Sequence, residues 1–368
     1  MARSDRKRRV TSKRVAIRRA ARGLCAGLAG LAGLVGLTGQ PASAFHSGGV
    51  AACGGCHTMH DPQQAFNPTN YLLKGANATD ICLNCHGTGN GNSWGQSPTM
   101  PGPVYGGGPF IFLTEDNLND GPGGAVPSNW IRGDAAGHNL VSIDFGLAAD
   151  SLHANAPGGS YPSAAMGCTS CHDPHGKFGH FRLLYGRDSN ASRANNHVFQ
   201  FTTDAPDASG IDLDGTPEAP ANHTAYRAGM SAWCGNCHGR YHDEASGSSF
   251  VHPSDEVLEP EMIRTYNAYR GTGFSDGVAS DSYEPLVPYE AAGLTTASTG
   301  PTPSAARVTC LSCHRAHASS GPAAGRWDFK IELWSQEGIA SGSYRIPNPY
   351  ETTAGGRQKP LCAKCHGD

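Results

Sequence analysis

The sequence predicts a fold that is mostly coil, with short helices and little sheet, built as three copies of one unit. Three observations predict it. Of 368 residues, 49 are Gly and 25 are Pro, too many for a helical bundle. Charged residues make up only 16%, too few for a solvated disordered chain. Twelve of the 13 cysteines fall into one recurring pattern, and long periodic apolar segments are scarce. One helix is legible, near Pro260 to Arg270. There Met262, Tyr266 and Tyr269 share a face, and Gly271 is placed to stop it.

The N-terminal stretch reads as an export signal. Ten Lys and Arg residues, from Arg3 to Arg22, precede an apolar run from Leu24 to Gly39. That run is short for a membrane span, which needs about 20 residues. Ala42-Ser43-Ala44 supplies the small-x-small cleavage pattern. Residues 1–44 are therefore expected to be removed, and Cys25 with them, leaving 45–368 without a stable membrane span. That segment carries 18 basic and 30 acidic residues, a net of −12 against −3 for the whole chain. An acidic exported chain lacks the basic footprint of a nucleic-acid binder.

The cysteines form six C-x-x-C pairs: Cys53/Cys56, Cys82/Cys85, Cys168/Cys171, Cys234/Cys237, Cys310/Cys313 and Cys362/Cys365. A histidine follows each pair: His57, His86, His172, His238, His314 and His366. With 17 His in the chain, chance gives six such matches with a probability on the order of 10⁻⁸. C-x-x-C-H is the attachment signature of c-type haem. Two thiols one short turn apart reach the two vinyl groups of one porphyrin edge, and the adjacent imidazole ligates the iron. Zinc would not require His at the same position every time. A redox dithiol motif usually occurs once, and a C-x-x-C loop is too tight for a typical structural disulfide. Six haem c groups on 324 residues is one per 54, so the cofactors are expected to be the core, with the chain wrapped around them.

Each iron has a second axial position, and eleven histidines lie outside the motifs. His60, His175 and His317 each stand three residues after a motif histidine, at the first, third and fifth sites. His46, His138 and His252 each precede one of those sites. The unit is thus a leading His, C-x-x-C-H-x-x-H, a linker and a second C-x-x-C-H, with approximate bounds 45–130, 131–245 and 246–368. A Leu-Leu pair marks two linkers, Leu72-Leu73 and Leu183-Leu184. Six spare histidines for six irons predict imidazole on both faces. His242 is a seventh candidate. His153, His180, His197 and His223 have no fixed relation to the motifs and are not expected to be ligands. Two imidazoles per iron leave no open position for substrate and favour a low potential. The chemistry is therefore electron transfer rather than catalysis. A soluble periplasmic electron carrier and, less favoured, a multihaem reductase are the alternatives. Asp204, Asp207, Asp212 and Asp214 do not have EF-hand spacing and read as a solvated acidic loop. Asn77, Asn190 and Asn222 open N-x-[ST] triplets, which arise often by chance.

Segments beyond the motifs carry a resemblance. FHSGGVAACGGCHTMH, CLNCH, GHNLV, APGGSYP, CTSCHDPHGK, GMSAWCGNCH, CLSCHRAHAS and LCAKCH, in this order, resemble the OmcS-type hexahaem cytochromes, which form extracellular nanowires. The resemblance implies bis-histidine ligation throughout and a filament of identical subunits joined head to tail. It implies that the distal histidine of the first motif, His60, crosses the boundary to ligate the haem of His314 in the neighbour. The repeat is compatible with this. If each C-x-x-C-H-x-x-H histidine serves the preceding unit, His175 reaches the first and His317 the second, and His60 is left for another subunit. A contact of that kind does not close on itself and gives an open fibre. The protein would then be secreted to the cell surface or medium through the periplasm. It would take electrons from periplasmic and outer-membrane cytochromes and pass them to mineral, electrode or partner-cell acceptors.

Overall fold

The computed structural model describes residues 53–58, 72–86, 107–108, 110–114, 118–119, 130–211, 218–241, 253–269, 277–303, 305–319, 321–326, 329 and 361–366. The leader, His46, His60, His242, His252, Asp212 and Asp214 lie outside the described residues.

Regular structure is sparse and short, as the Gly and Pro content predicts. Five α-helices are present among the described residues: α1 Ala78–His86, α2 Cys168–Cys171, α3 Met230–Gly235, α4 Pro260–Ala268 and α5 Cys310–Cys313. Four of the five contain motif cysteines. The strands are β1 Leu118–Asn119, β2 Trp130–Ile131, β3 Ser192–Ala194, β4 His197–Phe199, β5 Asp207–Ser209, β6 Ala225–Ala228, β7 Glu290–Ala291 and β8 Ala306–Arg307. β1–β2 and β3–β4 are antiparallel hairpin pairs, and β5-β6-β7-β8 form a small mixed sheet whose β6–β7 pairing is parallel.

The helix read from sequence is α4. Pro260 takes its first turn, where a missing N–H costs nothing, and the chain turns extended at Tyr269. Tyr266 and Tyr269 are fully buried and Met262 packs beside them. Ile263 is buried too.

One expectation needs correcting. The chain does pack on itself, in a tyrosine-rich core around α4. Leu258, Ile263, Tyr266, Tyr283, Val287, Tyr289 and Leu361 meet there. Their hydroxyls are placed rather than stranded: Tyr266 donates to Val287 O at 2.8 Å and Tyr289 to Thr299 O at 2.7 Å. A haem-lined interior needs no such cluster.

Candidate haem-binding sites

All six motifs curl into one turn. The motif histidine N–H donates to the first cysteine carbonyl at 2.8 Å in His57, 3.0 Å in His172 and His238, and 2.9 Å in His314 and His366. His86 ends α1, so Cys82 and Cys85 lie on the same turn. Residues three apart are neighbours on a helix surface, so each pair of thiols faces one way. At the third and fifth sites the serine inside the loop fixes the turn: Gly167 N–H donates to Ser170 Oγ at 3.0 Å and Thr309 N–H to Ser312 Oγ at 3.1 Å. None of the twelve cysteines forms a disulfide.

The odd-numbered sites share a backbone strap. Thr58 N–H donates to Leu72 O at 2.8 Å, Asp173 N–H to Leu183 O at 2.7 Å and Arg315 N–H to Ala324 O at 2.7 Å. In return Lys74, Tyr185 and Arg326 N–H reach Cys56, Cys171 and Cys313 O at 3.0, 3.0 and 2.8 Å. Each strap turns through left-handed residues, at Leu72, at Arg182 and Leu183, and at Ala323 and Ala324. The strap also orients the motif imidazole: His172 Nδ1 meets Arg182 O at 2.7 Å and His314 Nδ1 meets Ala323 O at 2.9 Å. The Leu-Leu pairs mark two of these straps. Ala324-Gly325 is the third, and no sequence signal identifies it.

Imidazoles face each other across three of the sites. The ring centres of His57 and His175 lie 6.3 Å apart, those of His172 and His317 6.2 Å, and those of His138 and His238 5.9 Å. Two metal–nitrogen bonds of about 2.0 Å, plus about 1.1 Å from each nitrogen to its ring centre, put two coaxial imidazoles about 6.2 Å apart. The spacing therefore fits one iron between each pair. The nitrogens not needed for a metal are already engaged. His238 Nδ1 meets Pro157 O at 2.7 Å, His138 Nδ1 meets Ala316 O at 2.7 Å and His317 Nδ1 meets Gly108 O at 3.1 Å. A carbonyl at Nδ1 fixes the tautomer that presents Nε2 as ligand.

His138 and His317 flank one isolated bridge, Gly137 to Ala318. His138 N–H donates to His317 O at 2.8 Å, so the two histidines, each facing a motif imidazole, are tied together through their backbones. A Cβ on Gly137 would lie 2.2 Å from His317 O, which restricts the position to glycine. Phe110 stacks on His317 at 4.4 Å. Burial, then the facing His238, pushes His138 down to about 4; burial, then His172, pushes His317 down to about 3. Both rings are neutral at pH 7, the ligating form.

The sites are also joined in pairs. The Cys82 thiol meets that of Cys168, and Cys168 N–H donates to Thr79 Oγ1 at 3.3 Å. The Cys234 thiol meets that of Cys310, and Cys310 N–H donates to Ser231 Oγ at 3.2 Å. The second motif of one unit thus abuts the first motif of the next. Zinc does not fit this arrangement. Among the described residues no three His, Cys, Asp or Glu side chains converge. Burial also pushes Cys171 and Cys313 up to about 12 and Cys237 and Cys365 to about 11, away from thiolate.

The remaining histidines have local partners. His153 pairs with Asp150 at 3.3 Å and His180 with Asp188 at 3.1 Å. His197 meets Tyr161 edge-on, and buried His223 has both ring nitrogens on carbonyls, those of Thr224 and Ser298. Asp204 and Asp207 pair with Arg187 and Arg227 instead of converging. Asn77 caps α1, exchanging hydrogen bonds with Asp80 at 2.9 and 3.0 Å. Sequence reading missed this support. Buried Asp80 also binds Ser142, and Glu290 accepts from Gly229 and Met230 N–H at 2.9 and 3.0 Å to hold the start of α3.

Irregular backbone, cysteine pairs presented on single turns and imidazoles set an iron's width apart are the arrangement a chain wrapped around covalently held haems would need. In sequence and in fold the chain is similar to OmcS. The C-type cytochrome OmcS of Geobacter sulfurreducens is 29% identical over 413 aligned residues, covering 88% of this chain and 94% of the relative. An Outer Membrane Cytochrome S filament structure from the same organism matches with a TM-score of 0.66 at 28% identity, over 88% of this chain and 99% of the other. A second, of OmcS nanowires, matches with a TM-score of 0.60 at 25% identity over the same shares. No protein-family model matches the chain.

Proposed function

We propose that this chain is an extracellular electron-transfer protein with six covalently attached c-type haems, polymerised head to tail through its own copies. The three facing imidazole pairs at 5.9–6.3 Å carry the reading. It is supported by the similarity to a cytochrome solved as a filament.

The twelve motif cysteines anchor the porphyrins and the six motif histidines are the proximal ligands. His175 serves the site of His57, His317 that of His172, and His138 that of His238. These pairs follow two rules. The histidine of C-x-x-C-H-x-x-H serves the first motif of the preceding unit, and the leading histidine serves the second motif of its own unit. The second rule assigns His46 to His86 and His252 to His366. The first rule leaves His314 without a donor in its own chain and His60 without an acceptor. The partner subunit's His60 resolves both, and His242 is left with no iron to serve. Residues 1–44 direct export and are removed.

A haem closed by two imidazoles accepts and returns one electron with no bond made or broken and no room for substrate. The polypeptide contributes the spacing. The thiol contacts Cys82–Cys168 and Cys234–Cys310 bring the attachment edges of successive sites together. Electrons enter from periplasmic and outer-membrane cytochromes and leave to mineral, electrode or partner-cell acceptors.

The test is His60→Ala. Expected: six haems per chain by pyridine haemochrome assay, one of them high-spin, and no filaments in electron micrographs. Normal filaments with every haem low-spin would overturn the subunit-crossing ligand. Monomers in wild-type secreted material, by size exclusion, would favour a soluble carrier.

A further inference from the structure

The third unit differs from the second in buried charge. Arg326 is 7% exposed and Lys364 4%, and both belong to motif surroundings. Lys364 lies between Cys362 and Cys365. Its ammonium donates to Tyr266, Tyr269 and Ser282 O at 2.9, 3.1 and 2.8 Å, using all three protons, and sits 4.3 Å from the Tyr266 ring centre. Arg326 follows the fifth-site strap. Its Nε donates to Leu311 and His314 O at 2.5 and 3.2 Å, and its Nη1 to Pro285 O at 3.0 Å. These carbonyls belong to the C-x-x-C-H turn itself or to the core behind it. Arg315, directly after the motif histidine, is 9% exposed.

The equivalent positions in the second unit carry no cation. Asp173 stands where the third unit has Arg315, Tyr185 where it has Arg326, and Asn236 where it has Lys364. The register is structural: Tyr185 and Arg326 N–H make the same bond to the second motif cysteine. Asn236 is satisfied by neutral partners, donating to Thr203 Oγ1 at 2.7 Å and accepting from Thr202 N–H at 2.9 Å. In the first unit Thr58, exposed Lys74 and Asn84 take these places. Glu284 lies within electrostatic reach of both Lys364 and Arg326. Burial pushes it up, toward its neutral form, and Lys364 and Arg326 only partly oppose this. The carbonyl cages orient dipoles toward the two cations but do not cancel their charge.

We infer that Arg326 and Lys364 are potential-setting residues, making the fifth and sixth sites the places in each subunit where an electron rests longest. The inference builds on the six-haem reading proposed above. Reduction adds one negative charge at a site, and a fixed positive charge held in protein interior favours that state more than the same charge in water. Electron exchange between the second and third units reduces one site as it oxidises the other. The bias changes the equilibrium of that exchange and leaves the ligands unchanged. In a head-to-tail fibre it recurs once per subunit.

The experiment is a potentiometric titration of secreted protein, followed by haem absorbance, for wild type, Lys364→Gln, Arg326→Gln and Asn236→Lys. Gln retains donors for the carbonyl cages while removing the charge. Haem content and low-spin spectra are measured first; their loss in the wild type would strike at the haem reading and not at this one. Expected: each Gln variant moves one of the six components from the high-potential end of the curve downward, and Asn236→Lys lifts a lower one. Haem-replete Gln variants whose curves superimpose on wild type, or lose amplitude at the low-potential end, would overturn the inference. Should neither Gln variant be secreted, an Asn236→Lys curve unchanged from wild type would overturn it as well.

Discussion

The junction of the third and fourth sites and the first site present the same ring spacing in opposite surroundings. At the junction His138 and His317 are half-buried and bound backbone to backbone. At the first site His175 faces His57 at a similar distance, but its side chain is 74% exposed and its nearest ionic neighbour, Asp173, lies 3.8 Å away. The comparison separates two properties. Ring spacing recurs at the first, third and fourth sites whether or not a strap is present. Shelter from water comes from long-range packing and differs between them.

Gly137→Ala should break the junction most severely. The added methyl must displace His317 O, so the bridge opens and both the His138 and His317 imidazoles, the proposed distal ligands, shift. The expected outcome is two high-spin haems in the magnetic circular dichroism spectrum and a stability loss of about 1–3 kcal/mol, the usual cost of overpacking.

His317→Ala and His175→Ala sharpen the contrast. Each should convert one haem to high-spin. Removal of His317 also strips the stacking partner of Phe110 and should destabilise by about 2 kcal/mol in denaturant titration, within the range for buried side chains. Removal of exposed His175 should stay within about 0.5 kcal/mol apart from the lost iron bond. Equal losses from the two substitutions would dissolve the distinction.

Acid should reach the junction late. Burial holds His138 near 4 and His317 near 3, below the ordinary histidine value of about 6.5. An unfolded chain takes up these protons first. The stability contributed by the two neutral rings is therefore complete above about pH 6.5 and declines as pH falls toward 3. Low-spin absorbance from the third and fourth sites should persist to about pH 4. Its loss at pH 6 in an acid titration would contradict this.

The smallest effect belongs to Leu72, which is 46% exposed and holds φ at 55°. Leu72→Gly relieves left-handed strain of about 1 kcal/mol and loses little burial, so thermal stability should rise slightly. The same change at Ala324, 8% exposed with φ 54°, should gain less because it also leaves a small void.

What the sequence disclosed follows from which interactions are local. A C-x-x-C-H turn is complete within five residues, so all six were visible, and α4 announced itself by Pro260 and its tyrosine face. The threefold repeat was legible because His60, His175 and His317 keep one spacing. The Gly137–Ala318 bridge was not, since its strands are far apart in sequence and neither has a distinctive pattern. Nor were the roles of Arg326 and Lys364. Both residue types are usually solvated, and nothing beside them in sequence announces the carbonyls that bury them. The tyrosine core was hidden for a related reason: its members come from five separate stretches, of which only α4 is periodic enough to read alone.

The strap has an evolutionary consequence. Its paired contacts, Thr58–Leu72 and Lys74–Cys56 and their counterparts, run entirely from main chain to main chain. Side chains there range from Leu-Leu to Ala-Gly within a single molecule while the hold on the imidazole persists. The hold therefore tolerates wide change of sequence at the strap. A graft of residues 322–325 in place of 181–184 should be accepted with the His172 imidazole still in place.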